Sequence, residues 1–209
     1  MKILVISDKI VDHLQSSSIT ERLKDIDFII SCGDLPSSYL EYIVTMLNKP
    51  LFYVLGNHDK SKIYDESGLK SNIPEGCINL NQKIINYRGI ILMGLEGSMN
   101  YNQGEHQYTD SQMSWKINLL KPKLYLNKIF KKKYLDILVT HAPPYKIHDQ
   151  EDKCHRGFKS FNSFIKKFKP KYLIHGHVHE YLTNNSNSWI TEVDGTKVVN
   201  AYGYRIIEI

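Results

Sequence analysis

The sequence predicts an α/β fold in which mixed β-sheets are covered by helices. Short apolar runs rich in β-branched residues alternate with segments of helical periodicity along most of the chain. Near the C-terminus the pattern changes to a hairpin signal followed by one more strand. Because 209 residues can bury a sizeable core, we expect one domain over residues 1–209.

Strands are predicted where short β-rich runs lie between turn signals. Two hairpins are indicated by glycine-containing turns, one at Arg88-Gly89 and one at Asp194-Gly195. The polar segment at 184–188 is predicted to be a loop. The predicted strands cover residues 2–7, 27–32, 51–55, 83–87, 90–95, 135–140, 171–174, 189–193, 197–200 and 204–208.

Helices are predicted from capping residues and from apolar residues at helical spacing. Thr109 and Gln112 have the spacing of a capping box. Pro122 lacks a backbone N–H, so we expect it to divide the helical pattern that follows. The phenylalanines of the last helix recur at helical spacing and are expected to be core residues. The predicted helices run over residues 17–24, from Ser37 or Ser38 to Leu47, from Thr109 to Leu120, from Pro122 to Lys132, and from Phe158 to Phe168.

The composition is that of an ordinary soluble globular protein, with 42% hydrophobic and 23% charged residues. No run of 18 apolar residues is present, so we expect no membrane partner. The three cysteines form no CxxC pair, which predicts a reducing, cytoplasmic setting. A net charge of +5 would modestly favour anionic ligands, but we favour a lysine-rich surface that serves solubility, including the run at 131–133.

Five predicted strands end at residue types that bind metals. The carboxyl ends of neighbouring parallel strands meet at one edge of a sheet, so these side chains are expected to converge. Any one of these residues, taken alone, is more often a turn, cap or loop residue. Five such strand ends in order, each directly after an apolar run, indicate one shared site. The strand ends are Asp8, Gly33-Asp34, Gly56-Asn57-His58-Asp59, His141 and Gly176-His177-Val178-His179.

The ligand types at these ends predict two metal ions rather than one. Mixed nitrogen and oxygen ligands suit Mn, Fe, Zn, Co or Ni and do not suit calcium. The set is too large for one tetrahedral ion, so two ions bridged by a carboxylate fit better, with Mn²⁺ as the first expectation. Two such ions form a clamp for displacement at phosphorus, because they activate the attacking water and neutralise phosphoryl charge.

The motif series resembles that of the calcineurin-like metallophosphoesterases. The resemblance implies two mixed sheets packed face to face as a sandwich and flanked by helices, with a dinuclear metal site at one edge. It implies a hydrolase in which a metal-bridging hydroxide attacks phosphorus. The implied metal ligands are Asp34 as the bridge, Asp8 and His179 for the first ion, and Asn57, His141 and His177 for the second.

The resemblance also implies that His58 binds no metal, protonates the leaving oxygen and is oriented by Asp59. The first motif departs from the usual Asp-x-His, because Ile10 stands where the histidine is expected. Isoleucine cannot bind a metal, and whether Asp12 or His13 replaces it is left open.

Two polar loops, one at 97–108 and one at 148–157, are either plain surface loops or walls of the substrate site. In the second, His155 and Arg156 are predicted to bind substrate, because a guanidinium suits phosphate oxygens. The alternative is that Arg156 pairs with Asp149 or Asp152 and pins the loop.

The leading hypothesis is a phosphoesterase acting on a phosphodiester or phosphomonoester, such as a nucleotide, a cyclic nucleotide or a nucleic-acid end. The alternative is a non-catalytic metal-binding scaffold of the same fold. No segment resembles a nucleic-acid-binding module, and the sequence predicts no particular oligomeric state.

Overall fold

A computed structural model of the chain describes residues 1–60, 62–65, 68–179 and 189–209, so the predicted loop at 184–188 lies outside the described residues. The strands are β1 (Lys2–Ser7), β2 (Phe28–Ser31), β3 (Leu51–Tyr53), β4 (Lys62–Asp65), β5 (Gly68–Ser71), β6 (Ile78–Asn79), β7 (Ile84–Tyr87), β8 (Ile90–Leu95), β9 (Ser98–Met99), β10 (Gln107–Tyr108), β11 (Ile137–Thr140), β12 (Tyr172–His175), β13 (Ile190–Val193), β14 (Thr196–Asn200) and β15 (Gly203–Glu208). The helices are α1 (Ile19–Arg22), α2 (Ser37–Leu47), α3 (Asp110–Lys131) and α4 (Lys159–Phe168), with a 3₁₀ turn at Asp12–Leu14.

Two mixed sheets form the centre of the molecule. The first has the strand order β15-β1-β2-β3-β6 and the second has the order β13-β14-β12-β11-β8-β7. In each sheet the inner strands are parallel, and β15, β7 and β13 run antiparallel to their neighbours. The inner strands β2, β11 and β12 are buried on both faces, which explains why their sequences are continuous apolar runs rather than alternating ones.

The sheets pack face to face, and helices cover their outer faces. Val5 and Phe28 of the first sheet share a buried cluster with Val139 and Ile174 of the second. A second cluster lies between the first sheet and α1 and α2, and a third lies between the second sheet and α3 and α4. The fold is therefore the α/β sandwich of two mixed sheets flanked by helices that the motif resemblance implied.

Most predicted elements are confirmed. Both hairpins form, β7 with β8 and β13 with β14. The capping box at Thr109 is present, because its side chain accepts the N–H of Gln112 and the Gln112 side chain accepts the N–H of Thr109. The phenylalanines of α4 are buried, as predicted. The described helices include none with the length and hydrophobicity needed to span a bilayer.

Three predictions about helices need correction. Pro122 does not divide α3, because its ring lies on the solvent side, where water can satisfy the carbonyl group that loses its N–H partner. Neither serine caps α2. Its N-cap is Pro36, and the Ser37 hydroxyl donates instead to the carbonyl of Asn72. The predicted helix at 17–24 is reduced to the single turn α1.

Candidate metal centre

The predicted strand ends converge at one edge of the sandwich. The N–H of Asp8 donates to the carbonyl of Gly33 at 3.2 Å, and the N–H of Gly176 donates to that of His141 at 2.9 Å. Two glycines permit the close approach between motifs. A Cβ on Gly56 would overlap the carboxylate of Asp34, and a Cβ on Gly176 would overlap that of Asp8.

The backbone at the centre is strained. Asp8, Asp34 and His177 have φ values of 62°, 55° and 67°, in the left-handed region that residues other than glycine rarely adopt. Such a conformation costs on the order of 1–3 kcal/mol per residue and persists where the surroundings hold it. All three of these residues offer a ligand atom, so part of the strain in the described chain falls on the ligands of this centre.

One ligand cluster contains Asp34, Asn57, His141 and His177. Nε2 of His141 lies 3.3 Å from Oδ2 of Asp34 and 3.0 Å from Oδ1 of Asn57. Ligand atoms of Asp34, His141 and His177 all lie within 4.8 Å of one another. This is the second-ion set implied by the motifs, and its mixture of nitrogen and oxygen suits a transition-metal ion.

Backbone carbonyls orient both imidazoles of this cluster. Nδ1 of His141 lies 2.7 Å from the carbonyl oxygen of Cys32, and Nε2 of His177 lies 2.7 Å from that of Cys154. When each of these nitrogens donates its proton to a carbonyl, the other nitrogen of the ring keeps the lone pair that binds a metal.

Burial and charge set the protonation of the cluster. Burial raises the pKa of Asp34, but His141 and the N–H of His58 outweigh this effect, so the pKa lies below its usual range. Burial would lower the pKa of His141, but Asp34 raises it to about 9. Burial and the neighbouring His141 lower the pKa of His177 to about 3. Asp34 is therefore ionised and His177 is neutral, which are the forms that bind a cation. His141 holds its proton because of Asp34 and releases it when a cation takes its place.

Asp8 and His179 form the expected first-ion set. Oδ2 of Asp8 accepts the N–H of His177 at 2.9 Å, whereas Oδ1 is buried and has no hydrogen-bond partner among the described residues. Nε2 of His179 lies 3.8 Å from that oxygen. Burial is also the main reason that the pKa of Asp8 is raised. A buried carboxylate oxygen without a hydrogen-bond partner requires an explanation, and a cation would supply one.

Neither Asp12 nor His13 replaces the histidine that is missing from the first motif. His13 packs edge-on against the ring of Tyr204, with 4.9 Å between ring centroids, and lies in the helix layer outside the first sheet. Asp12 and Ile10 are exposed at the surface. The first-ion set of the described residues is thus poorer in ligands than the second.

His58 and Asp59 do not form the predicted pair. The N–H of His58 donates to Oδ1 of Asp34 at 2.9 Å, and the His58 ring is exposed at the rim of the centre. Oδ2 of Asp59 accepts the N–H groups of Asp34 and Gly56 at 2.9 and 2.8 Å. In the described parts of the chain no hydrogen bond joins Asp59 to the His58 ring. Asp59 instead fastens the two turns that carry the ligands.

The 148–157 loop does reach the centre. The His155 ring lies 5.2 Å from that of His177, and Asp152 holds its Nδ1 at 3.0 Å. Arg156 is exposed and donates to the carbonyl of Glu151 at 3.1 Å. The alternative that it pairs with Asp149 or Asp152 is wrong, because no ion pair joins Arg156 to either carboxylate among the described residues. Asp149 accepts the N–H of Gly157, and Asp152 binds His155.

The 97–108 loop contributes one contact that the sequence did not single out. The hydroxyl of Tyr101 accepts a hydrogen bond from Nδ2 of Asn57 at 3.1 Å and so helps to orient a ligand. The other overlooked contributors are the carbonyls of Cys32 and Cys154, which no residue-type pattern could reveal. For Tyr101 the polar loop after a strand was the available signal.

The family of the chain follows from its sequence match. The family model described as Calcineurin-like phosphoesterase matches residues 1–181 and includes every strand end of the centre. The chain belongs to the calcineurin-like phosphoesterase family. No curated protein matches it.

Solved structures share the fold of this calcineurin-like phosphoesterase at low identity. TT1561 of Thermus thermophilus is 16% identical, with 97% of this chain and 89% of that chain covered and a TM-score of 0.62. The phosphopantetheinyl hydrolase PptH from Mycobacterium tuberculosis is 12% identical, with coverage of 96% and 88% and a TM-score of 0.60. GAP50, the anchor in the inner membrane complex of Plasmodium, is 16% identical, with coverage of 96% and 70% and a TM-score of 0.56. These identities establish the fold alone.

Proposed function

We propose that this protein hydrolyses a phosphodiester or phosphomonoester with the help of two divalent metal ions, of which Mn²⁺ is the first expectation. The observation that carries the proposal is the buried Oδ1 of Asp8, which has no hydrogen-bond partner among the described residues. It supports a cation beside the cluster of Asp34, His141 and His177. Family membership supports the same reaction class.

Each ion would have its own ligand set. Asp34, Asn57, His141 and His177 would hold one ion, and Asp8 and His179 would hold the other together with Asp34. When bound, two divalent ions activate an attacking water and neutralise the charge of the phosphoryl group. The carbonyls of Cys32 and Cys154 keep the imidazoles in the orientation that this binding needs.

His58 would supply the proton for the leaving group. Its ring is exposed at the rim, and its backbone is tied to the Asp34 carboxylate. The attacking water gives up one proton to solvent and its oxygen bonds to phosphorus. As the bond from phosphorus to the leaving oxygen breaks, the ring proton of His58 passes to that oxygen. His155 and Arg156 lie in the loop at the same rim and are proposed to contact substrate phosphate oxygens.

The substrate class follows from the same proton transfer. A general acid helps most when the leaving group is a poor one, so a diester is favoured over a monoester. Nucleotides, cyclic nucleotides and nucleic-acid ends are the classes that contain such bonds.

The second candidate is a non-catalytic metal-binding scaffold. It is favoured by Ile10, which replaces a motif imidazole, and by the likeness of the fold to GAP50, which is named as an anchor. Against it, a scaffold has no use for an exposed imidazole at position 58 beside the ligands.

The test is a hydrolysis assay on chelator-treated protein with bis-p-nitrophenyl phosphate and p-nitrophenyl phosphate, with and without Mn²⁺. We expect metal-dependent release by the wild type, loss in Asp34→Asn and retention in Asp12→Asn, which removes an exposed carboxylate outside the centre. Metal binding without hydrolysis, with Mn, Fe, Zn, Co and Ni each tried, would favour the scaffold.

A further inference from the structure

Helix α3 is apolar on two opposite faces. Its inner face, which includes Met113, Ile117 and Leu124, packs against the second sheet. Six of the ten large hydrophobic side chains that are exposed among the described residues also lie on α3, so the exposure is concentrated there. Five of them form, with Pro122, one continuous stripe that we call the outer α3 ridge, and its residues are Trp115, Leu119, Pro122, Leu126, Ile129 and Phe130.

The spacing of the ridge puts it on one side of the helix. Its members follow one another mostly at intervals of three or four residues, which places them in a row about 22 Å long. Trp115 is 62% exposed and Phe130 is 77% exposed, so both ends of the row project into solvent. An apolar helix face is normally packed against a partner, and exposed apolar patches of this kind mark interaction sites.

The helices around the ridge are strongly basic. Asp110 is the one acidic residue of α3 and α4, and its carboxylate already accepts the N–H of Ser160 at 2.9 Å. The exposed lysines of α3, α4 and their C-caps are Lys123, Lys128, Lys131, Lys132, Lys159, Lys166, Lys167 and Lys169. This face therefore combines an apolar ridge with a wide positive field.

We propose that this face docks on an anionic lipid surface. The ridge would enter the boundary between headgroups and acyl chains, and the lysines would lie against anionic headgroups. Trp and Phe, here Trp115 and Phe130 at the two ends, are typical of the apolar face of helices that lie in a membrane interface. Docking of this kind needs no spanning helix, so the expectation of no membrane partner, which rested on the lack of an apolar run, is revised.

Charge argues against the two other occupants. In a symmetric dimer formed through α3, the lysines of the two copies would face each other, and Asp110, the one acidic residue of α3, is already bonded to Ser160. A protein partner is disfavoured because lysine is depleted at protein–protein interfaces relative to the remaining surface. An anionic bilayer meets the ridge and both lysine-bearing helices at once. The proposal does not depend on the hydrolytic activity.

The test uses the full chain and vesicles of phosphatidylcholine with or without phosphatidylserine. The chain has two tryptophans, so Trp189→Phe leaves Trp115 as the single tryptophan reporter. We expect co-sedimentation that requires phosphatidylserine and weakens with salt, together with a blue shift of Trp115 emission. Leu126→Ser/Ile129→Ser and Lys131→Ala/Lys166→Ala should each lower the partition coefficient by about tenfold or more.

Control variants test whether a loss of vesicle binding is specific to the outer α3 ridge and its lysines. Ile206→Ser removes a side chain that is 45% exposed on β15, in the other sheet, and Lys49→Ala/Lys60→Ala removes the same charge elsewhere. Both should bind vesicles like the wild type, and melting curves should confirm that all variants fold.

Three results would overturn the proposal. One is no binding to phosphatidylserine vesicles, and another is equal loss in the ridge and control variants. The third is that the chain forms a dimer in solution, or binds an acidic amphipathic peptide but no vesicles, and that Leu126→Ser/Ile129→Ser abolishes this association. That result would assign the ridge to a protein instead.

Discussion

The carbonyl oxygen of Cys154 lies 2.7 Å from Nε2 of His177, so a loop between β11 and α4 holds one imidazole of the metal centre. Asp152 in turn shapes that loop, because its Oδ1 accepts the N–H groups of Cys154 and His155 at 2.9 and 3.0 Å. A backbone atom and an exposed carboxylate therefore contribute to the orientation of a ligand.

Asp152→Ala should weaken metal binding without removing a ligand. The carbonyl of Cys154 would no longer be fixed, and loss of such an outer partner typically lowers metal affinity about 10–100-fold. Isothermal titration calorimetry with Mn²⁺ measures the change. An affinity equal to that of the wild type would mean that the loop is held by its other contacts.

The two metal sites should differ in affinity. The second-ion set offers Asn57, His141 and His177 with Asp34, whereas the first-ion set offers Asp8 and His179 beside Asp34. Metal titration should give one tight and one weaker event, with activity following the weaker one. Asp8→Asn should abolish the weaker event, and His13→Ala should leave both unchanged. Two equally tight events would reveal a ligand beyond those described.

Arg156→Ala should raise KM without changing metal content or melting temperature. Its one hydrogen bond within the described residues is to the Glu151 carbonyl, and its side chain is exposed, so its structural contribution is small. Arg156→Lys should recover part of the loss, since an ammonium cannot make a two-point contact with phosphate. Steady-state kinetics of the two variants measures this change in KM. Unchanged kinetics with a lower melting temperature in Arg156→Ala would assign the side chain a structural role.

Glu96 should stabilise the fold by an amount that depends on pH. It accepts the hydroxyl of Tyr108 at 2.7 Å and lies 3.4 Å from Nδ1 of His106 and 3.7 Å from Nζ of the buried Lys116. Because Glu96→Gln weakens the pairing of these groups, it should cost about 1–3 kcal/mol of unfolding free energy. Urea unfolding measures this cost.

The sign of the pH dependence follows from two pKa shifts. Burial raises the pKa of Glu96, but hydrogen bonds from His106 and Tyr108 outweigh it and hold the pKa below 4.5. The same contact with Glu96 raises the pKa of His106 above 6.5. The Glu96 contribution is lost as pH falls through its lowered pKa, and the His106 contribution is lost as pH rises through its raised pKa. The difference between wild type and Glu96→Gln should thus peak between pH 4.5 and 6.5, and a difference that grows at alkaline pH would contradict this assignment.

The sequence predicts those parts of the protein that depend on local patterns. The hairpin turns, the buried parallel strands and the ligand types at their ends follow from residue spacing alone. The continuity of α3 does not follow from residue spacing. Whether Pro122 breaks the helix depends on whether its side of the helix faces solvent. The partners of Asp59 also depend on the folded turns, in which its carboxylate accepts two backbone N–H groups instead of binding the His58 ring. The outer α3 ridge does not follow from the sequence either, because a sequence does not indicate which side of a helix the sheet covers.

The leaving-group dependence of His58→Ala tests the central claim most directly, namely that the strand-end centre is a hydrolytic site with His58 as its acid. The variant should keep its metal content and lose about 10²–10⁴-fold in kcat on a diester with a poor leaving group. It should lose much less on a nitrophenyl ester, because that leaving group hardly needs a proton. Equal losses on both substrates, or loss of metal from the variant, would contradict the assignment.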